Sequence, residues 1–112
     1  MKPKLIYVSS PYSRGGDVAE NVRVQMDAAH RILDLCHCPV VPLLSHFLAI
    51  YRSRPYDDWM RMDLALLERC DVVLRLPGES SGADREVAAA QELGMPVVFG
   101  WEELDRWLLS RV

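Results

Sequence analysis

The sequence predicts an α/β fold: a three-layer α/β/α sandwich on a four- to five-stranded parallel, flavodoxin-like sheet. Three observations carry that expectation. Four short apolar runs, "LIYV" at 5–8, "PVVPLL" at 39–44, "DVVLRL" at 71–76 and "PVVFG" at 96–100, are continuous rather than alternating. Runs of that kind suit strands covered on both faces. Helical patterns separate them, so the order β-α-β-α-β-α-β-α implies parallel pairing with right-handed crossovers. Finally, 112 residues, 50% hydrophobic and 26% charged, suit one globular domain spanning 1–112.

The first strand ends in "SSPYSRGG", and a helix follows from Asp17. Val18, Val22, Met26, Ala29, Leu33 and Cys36 fall on one side of it, and Asp17 followed by Glu20 resembles a capping box. After the second strand, 45–54 reads as part helix, part loop. A second helix starts near Asp57 or Asp58, after Pro55, and runs to about Arg69. A third spans Gly82 to Leu93, closed by Gly94 and Pro96, and a last one covers Glu102 to Leu109.

Composition narrows the function. A formal charge of −3 argues against nucleic acid polymers and anionic membranes as partners, since both favour basic patches. No run approaches a membrane span and the N-terminus lacks a signal-peptide core, so a cytoplasmic protein is expected. The three cysteines, Cys36, Cys38 and Cys70, have neither disulfide-framework nor zinc spacing. Their expected role is that of reduced, small apolar side chains, and no metal is expected.

In open parallel sheets, ligands bind beyond the carboxyl ends of the strands. Two carboxylates draw attention there. With Glu86 set at zero on a helical wheel, Gly82, Ala83, Ala89, Ala90 and Leu93 lie within roughly 60° of it. With Asp63 at zero, Trp59, Met60, Leu66, Leu67 and Cys70 do the same. Each acid therefore sits on an apolar stripe, where an ionised carboxylate is unfavourable unless paired, hydrogen-bonded or opened to a cavity. Either one alone could be a structural acid held by backbone amides or Arg75. Two together suit glycosidic chemistry, in which one carboxylate attacks the anomeric carbon and the other handles a proton.

The stretch "WMRMDLALLERCDVVLRLPGESSGADREVAAAQELGMPV", Trp59 to Val98, with the opening "IYVSSPYS", resembles the nucleoside 2-deoxyribosyltransferase superfamily, in particular its short bacterial and phage branch. The resemblance covers most of the chain, and the spacing of Asp63, Asp71, Ser80, Gly82 and Glu86 carries it. It implies that Glu86 is the nucleophile, that Asp63 is a second catalytic acid, and that Tyr7 stands near sugar and nucleophile. Ser80 and Gly82 match the loop that approaches the sugar or 5′ end, and Asp71 is expected to brace the third strand. Ser9 and Ser10 open the first loop as substrate-binding candidates. Ser13, Arg14, Gly15 and Gly16 resemble the phosphate-contacting turn of a 5′-monophosphate N-glycosidase branch.

The implied function is cleavage or transfer of the N-glycosidic bond of a (deoxy)nucleoside or nucleoside 5′-monophosphate, through a covalent glycosyl-Glu86 intermediate. Hydrolysis and base exchange both remain open. The implied partner is a small-molecule nucleoside or nucleotide, with no cofactor, on a homodimer or higher homo-oligomer. The alternatives are a nucleotide-binding or sensing module without turnover and a phosphoribohydrolase-like 5′-monophosphate hydrolase, whose glycine-rich loop "LPGESSGADRE" echoes. Trp59 shares the apolar stripe and reads as core. Tyr12 and His46 stand at the expected rim, where a base or sugar contact and plain exposure are equally open.

Overall fold

Parallel strands β1 (Leu5–Ser9), β2 (Cys38–Val40), β3 (Val72–Arg75) and β4 (Val97–Phe99) form a four-stranded sheet in the order β2-β1-β3-β4. They alternate with α1 (Val18–Asp34), α2 (Ser45–Tyr51), α3 (Tyr56–Leu67), α4 (Ser81–Glu92) and α5 (Trp101–Leu109). The computed structural model describes residues 2–13 and 17–111. The 2-1-3-4 order is that of a flavodoxin-like sheet, and the chain reverses its direction of winding between β1 and β3.

Because successive strand residues point to opposite faces, each strand feeds two cores. Ile6, Val8, Val72, Leu74 and Val98 meet Ala28 and Ile32 of α1 and Leu104 of α5 on one side. Tyr7 and Val73 meet Leu67 of α3 and Ala90 of α4 on the other. The three layers are thus α1/α5, sheet and α3/α4. Parity alone sends Tyr7 and Ser9 to the α3/α4 side, and Ser9 pairs in register with Arg75. At the opposite end of the strands, Asp71 Oδ2 accepts the Leu5 N–H at 2.7 Å, bracing the start of β1 against β3.

Several expectations need correction. The run 39–44 is not one strand: β2 stops at Val40, and Pro42–Leu44 forms a 3-10 turn. Pro42 has no N–H to give a ladder, and the Leu44 N–H turns back to Val41 O at 3.1 Å instead. The inward face of α1 is Val22, Gln25, Ala28 and Ile32, while Leu33 and Cys36 are exposed. The capping box is half-formed: Asp17 accepts the Glu20 N–H at 3.2 Å, but the Glu20 carboxylate pairs with Arg23. Of the thiols, Cys36 and Cys38 are exposed and do not serve as small apolar side chains, whereas the partly buried Cys70 packs against the core on the α3/α4 side. No helix among the described residues is long and apolar enough to cross a membrane.

Candidate active site

The N-terminus of α4 sets the first carboxylate. Ser80, the N-cap residue, accepts the Ala83 N–H on its Oγ at 3.0 Å, satisfying one of the free donors of the first turn. That start fixes the helix phase so that Ala83, Glu86 and Ala90 point inward. Glu86 is 5% exposed, and both of its oxygens are engaged. Ser9 Oγ donates to Oε1 at 2.8 Å, and the Tyr7 hydroxyl donates to Oε2. Tyr7 and Ser9 are themselves fully buried.

The electrostatics follow from this enclosure. Burial raises the Glu86 pKa above the usual carboxylate range, while the Tyr7 and Ser9 hydrogen bonds and the nearby Arg75 pull it down. Burial and the Glu86 charge push the Tyr7 phenol up, so it stays a donor. Arg75 does not pair directly with Glu86. Its guanidinium donates to Leu76 O, to Gly78 O at 2.7 Å and to Asp84 at 3.4 Å.

The second carboxylate comes from α3. Asp63 is pushed up to about 7 by burial first and by the Glu86 charge second. Its Oδ1 is buried and has no hydrogen-bond partner among the described residues. A buried acceptor left unpaired is unfavourable by about 1–3 kcal/mol unless a ligand or water completes it.

Asp63 and Glu86 line the same cavity, of about 130 Å³, at the carboxyl ends of β1 and β3. Ser10, Ser80 and Gly82 also line it, and so do Tyr12, His46, Tyr56 and Trp59. Trp59 is therefore a wall residue rather than core. The Tyr12 hydroxyl lies 2.7 Å from His46 Nδ1, joining the loop after β1 to α2. Ser13 is exposed and is not among the lining residues. Arg14, Gly15 and Gly16 lie outside the described residues. Among the described residues no group of three or more His, Cys, Asp or Glu side chains could hold a metal ion.

Gln25 is the residue that sequence reasoning missed. Fully buried in α1, its Nε2 donates to Val8 O at 3.0 Å and Ser10 Oγ at 2.9 Å. Its Oε1 accepts the Leu43 N–H at 3.1 Å. One amide thus fastens the end of β1 to the 3-10 turn, and Ser10 and Leu43 both line the cavity. Gln25→Leu strands three buried polar groups and is expected to lower stability by about 3 kcal/mol in urea unfolding. An unchanged midpoint would show that these bonds contribute nothing net.

The family DUF7768, described as a domain of unknown function, matches residues 4–100, and the chain belongs to it. No curated protein matches the sequence. Among solved structures, the 2-desoxiribosyltransferase from Leishmania mexicana superposes with a TM-score of 0.66 at 16% identity, over 87% of this chain and 63% of that one. The 2-deoxyribosyltransferase of the psychrotolerant bacterium Bacillus psychrosaccharolyticus gives a TM-score of 0.66 at 22% identity, over 85% of this chain and 70% of that one. At these identities the likeness is one of fold. The chain spans less than two thirds of the Leishmania enzyme.

Proposed function

We propose that this chain cleaves or transfers the N-glycosidic bond of a (deoxy)nucleoside or nucleoside 5′-monophosphate, with Glu86 as nucleophile and Asp63 as acid. The observation that carries the reading is that two carboxylates meet on one cavity, Glu86 buried and held on both oxygens and Asp63 half-buried with its buried Oδ1 unpaired. The shared fold with 2-deoxyribosyltransferases, one of them described as a biocatalyst for nucleoside synthesis, supports it.

In this reading a Glu86 oxygen attacks C1′ as the C1′–N bond breaks, and Asp63 passes its proton to the departing base. The products are a free base and a glycosyl ester of Glu86. Water or a second base then attacks C1′, its proton returns to Asp63, and Glu86 leaves as a carboxylate. Asp63, pushed up to about 7, holds its proton at neutral pH and can act as the acid. The cavity, about 130 Å³, is below the ~300–1,000 Å³ usual for whole ligands. The pentose fits the enclosed part against the carboxylates, and the base lies toward Tyr12, His46 and Trp59.

Tyr7→Phe keeps the buried ring and removes one of the two donors to Glu86. Base release is expected to fall about 10- to 100-fold, the worth of one hydrogen bond to a charged group. The acid limb of the pH–rate profile should move up, because that donor favours ionised Glu86. An unmoved limb would remove Tyr7 from the mechanism.

The test is chromatographic detection of free base from ribo- and deoxynucleosides and their 5′-monophosphates, with and without an acceptor base. Wild type and Glu86→Ala are run side by side. Release that disappears in the variant supports N-glycosidic chemistry, and the preferred substrate decides the 5′-phosphate question. Absence of release, with a ligand still raising the melting temperature, turns the reading to a binding module.

A further inference from the structure

Among the described residues, Arg75 is the only lysine or arginine that is buried. It ends β3, in register with Ser9 of β1, and like Val73 two residues earlier it leaves the sheet on the α3/α4 side. That is the side on which Ser9 donates to Glu86. There the guanidinium bends over the turn between β3 and α4, donating from Nη1 to Leu76 O and from Nη2 to Gly78 O at 2.7 Å.

That turn governs two parts of the site. Two residues beyond Gly78 stands Ser80, whose hydroxyl caps α4 and so sets the phase of Glu86. Gly78 itself, at φ +120°, lies so close to the loop after β1 that an added Cβ would stand 2.6 Å from Pro11 Cγ. Pro11 is flanked by Ser10 and Tyr12, both cavity residues. One guanidinium thus ties the start of α4 to the loop after β1.

Neutral donors would satisfy two carbonyls equally well. Burying a guanidinium instead is unfavourable unless an opposite charge offsets the lost hydration. Asp84 offsets little of it, because the contact is 3.4 Å long and the Asp84 side chain is 75% exposed. The groups that face Glu86 from the packed elements are Tyr7 and Ser9 of β1, Asp63 of α3 and Arg75 of β3. Arg75 is the one cation in that set. On its own helix the neighbouring charges, Asp84 and Arg85, are exposed. Glu86 is therefore the buried anion that the Arg75 charge complements, although Arg75 is not among the residues lining the cavity.

We infer that Arg75 is a positioning residue for Glu86: it fixes the turn that launches α4 and supplies the carboxylate with a buried counter-charge, without touching substrate. Two variants separate these contributions. Arg75→Lys keeps the charge but loses the fork that spans Leu76 O and Gly78 O. Arg75→Gln keeps one donor and loses the charge.

The effect on rate rests on the proposed chemistry, whereas the titration of Glu86 does not. Protein labelled with carbon-13 at glutamate Cδ is followed by NMR against pH, the Glu86 signal being the one lost in Glu86→Gln. In Arg75→Gln that signal is expected to titrate at higher pH than in the wild type, and in Arg75→Lys close to the wild type. The Ala83 amide, held by Ser80, should exchange about tenfold faster in both variants. Base release on the acid side of the profile should fall about 10- to 100-fold in Arg75→Gln and less in Arg75→Lys, with KM unchanged. A Glu86 signal that titrates alike in Arg75→Gln and wild type overturns the inference, as does Ala83 exchange unchanged in both variants. A shifted titration in a protein that releases no base would instead sink the proposed chemistry and leave the hold of Arg75 on Glu86 in place.

Discussion

Glu86→Gln is expected to reduce base release by at least ~10³-fold while raising, not lowering, the melting temperature at neutral pH. The two effects come from the same geometry. As the proposed nucleophile, Glu86 needs a lone pair with carboxylate character at C1′, and an amide oxygen is far too weak to form the ester. As a structural element, the ionised carboxylate is a burden: burial raises its pKa, so the charged form is less favourable folded than unfolded. Glutamine keeps the shape, and its carbonyl can still accept one bond from Tyr7 or Ser9, but it removes the buried charge. The signs therefore separate the alternatives. A structural acid would lose stability on substitution and retain turnover per folded molecule. Normal turnover by Glu86→Gln in the chromatographic assay would eliminate the glycosyl-enzyme mechanism.

The sheet was legible because parallel strands buried on both faces leave unbroken apolar runs. "LIYV" and "DVVLRL" sit in β1 and β3 within a residue or two. The run 39–44 misled because hydropathy cannot distinguish a strand from an apolar turn, and Pro42, the residue that ends the ladder, counts as neither. The two acids were legible for a different reason. Charged side chains on apolar stripes stand out once the stripe is placed; Met60 and Leu67 of α3 and Ala83 and Ala90 of α4 are buried as expected, whereas Leu66 and Leu93 on the same stripes are exposed.

The stripe of α1 was misplaced. Reading Val18, Val22, Met26, Ala29 and Leu33 as its inner face left Gln25 outside, although its spacing to Ala28 and Ile32 is that of an inward row. The criterion that singles out Asp63 and Glu86, a polar residue in an apolar phase, would have found Gln25 with the helix turned by one residue. Other features have no local signature. That Tyr7 and Ser9 meet Glu86 follows from β1 and α4 lying side by side across 77 to 79 residues of sequence. The exposure of Phe47, Leu48, Ile50 and Tyr51 on α2 was equally hidden, since bulky apolar residues ordinarily point inward.

Asp63→Asn should slow base release by ~10²- to 10⁴-fold, the usual worth of a positioned acid, and should change how both rate and stability depend on pH. In the wild type, Asp63 holds its proton up to about 7, against 3.8 in the unfolded chain. Between those values the folded state binds more protons than the unfolded one, so stability falls as pH rises, and Asp63's part in that fall ends above about pH 7. Glu86, also raised, contributes in the same direction. Asparagine removes Asp63's share: melting temperature against pH should fall less steeply from 4 to 7, and the variant should be the more stable at pH 8. The rate should show the complementary limb, with wild-type turnover decreasing above about pH 7 as the acid is lost. That limb should be absent from whatever turnover Asp63→Asn retains. The fall with pH comes from desolvation and the Glu86 charge, whereas the limb requires Asp63 to pass a proton in the transition state. A variant with a flattened stability curve but the wild-type rate profile would therefore leave Asp63 half-buried beside the reaction without a part in it.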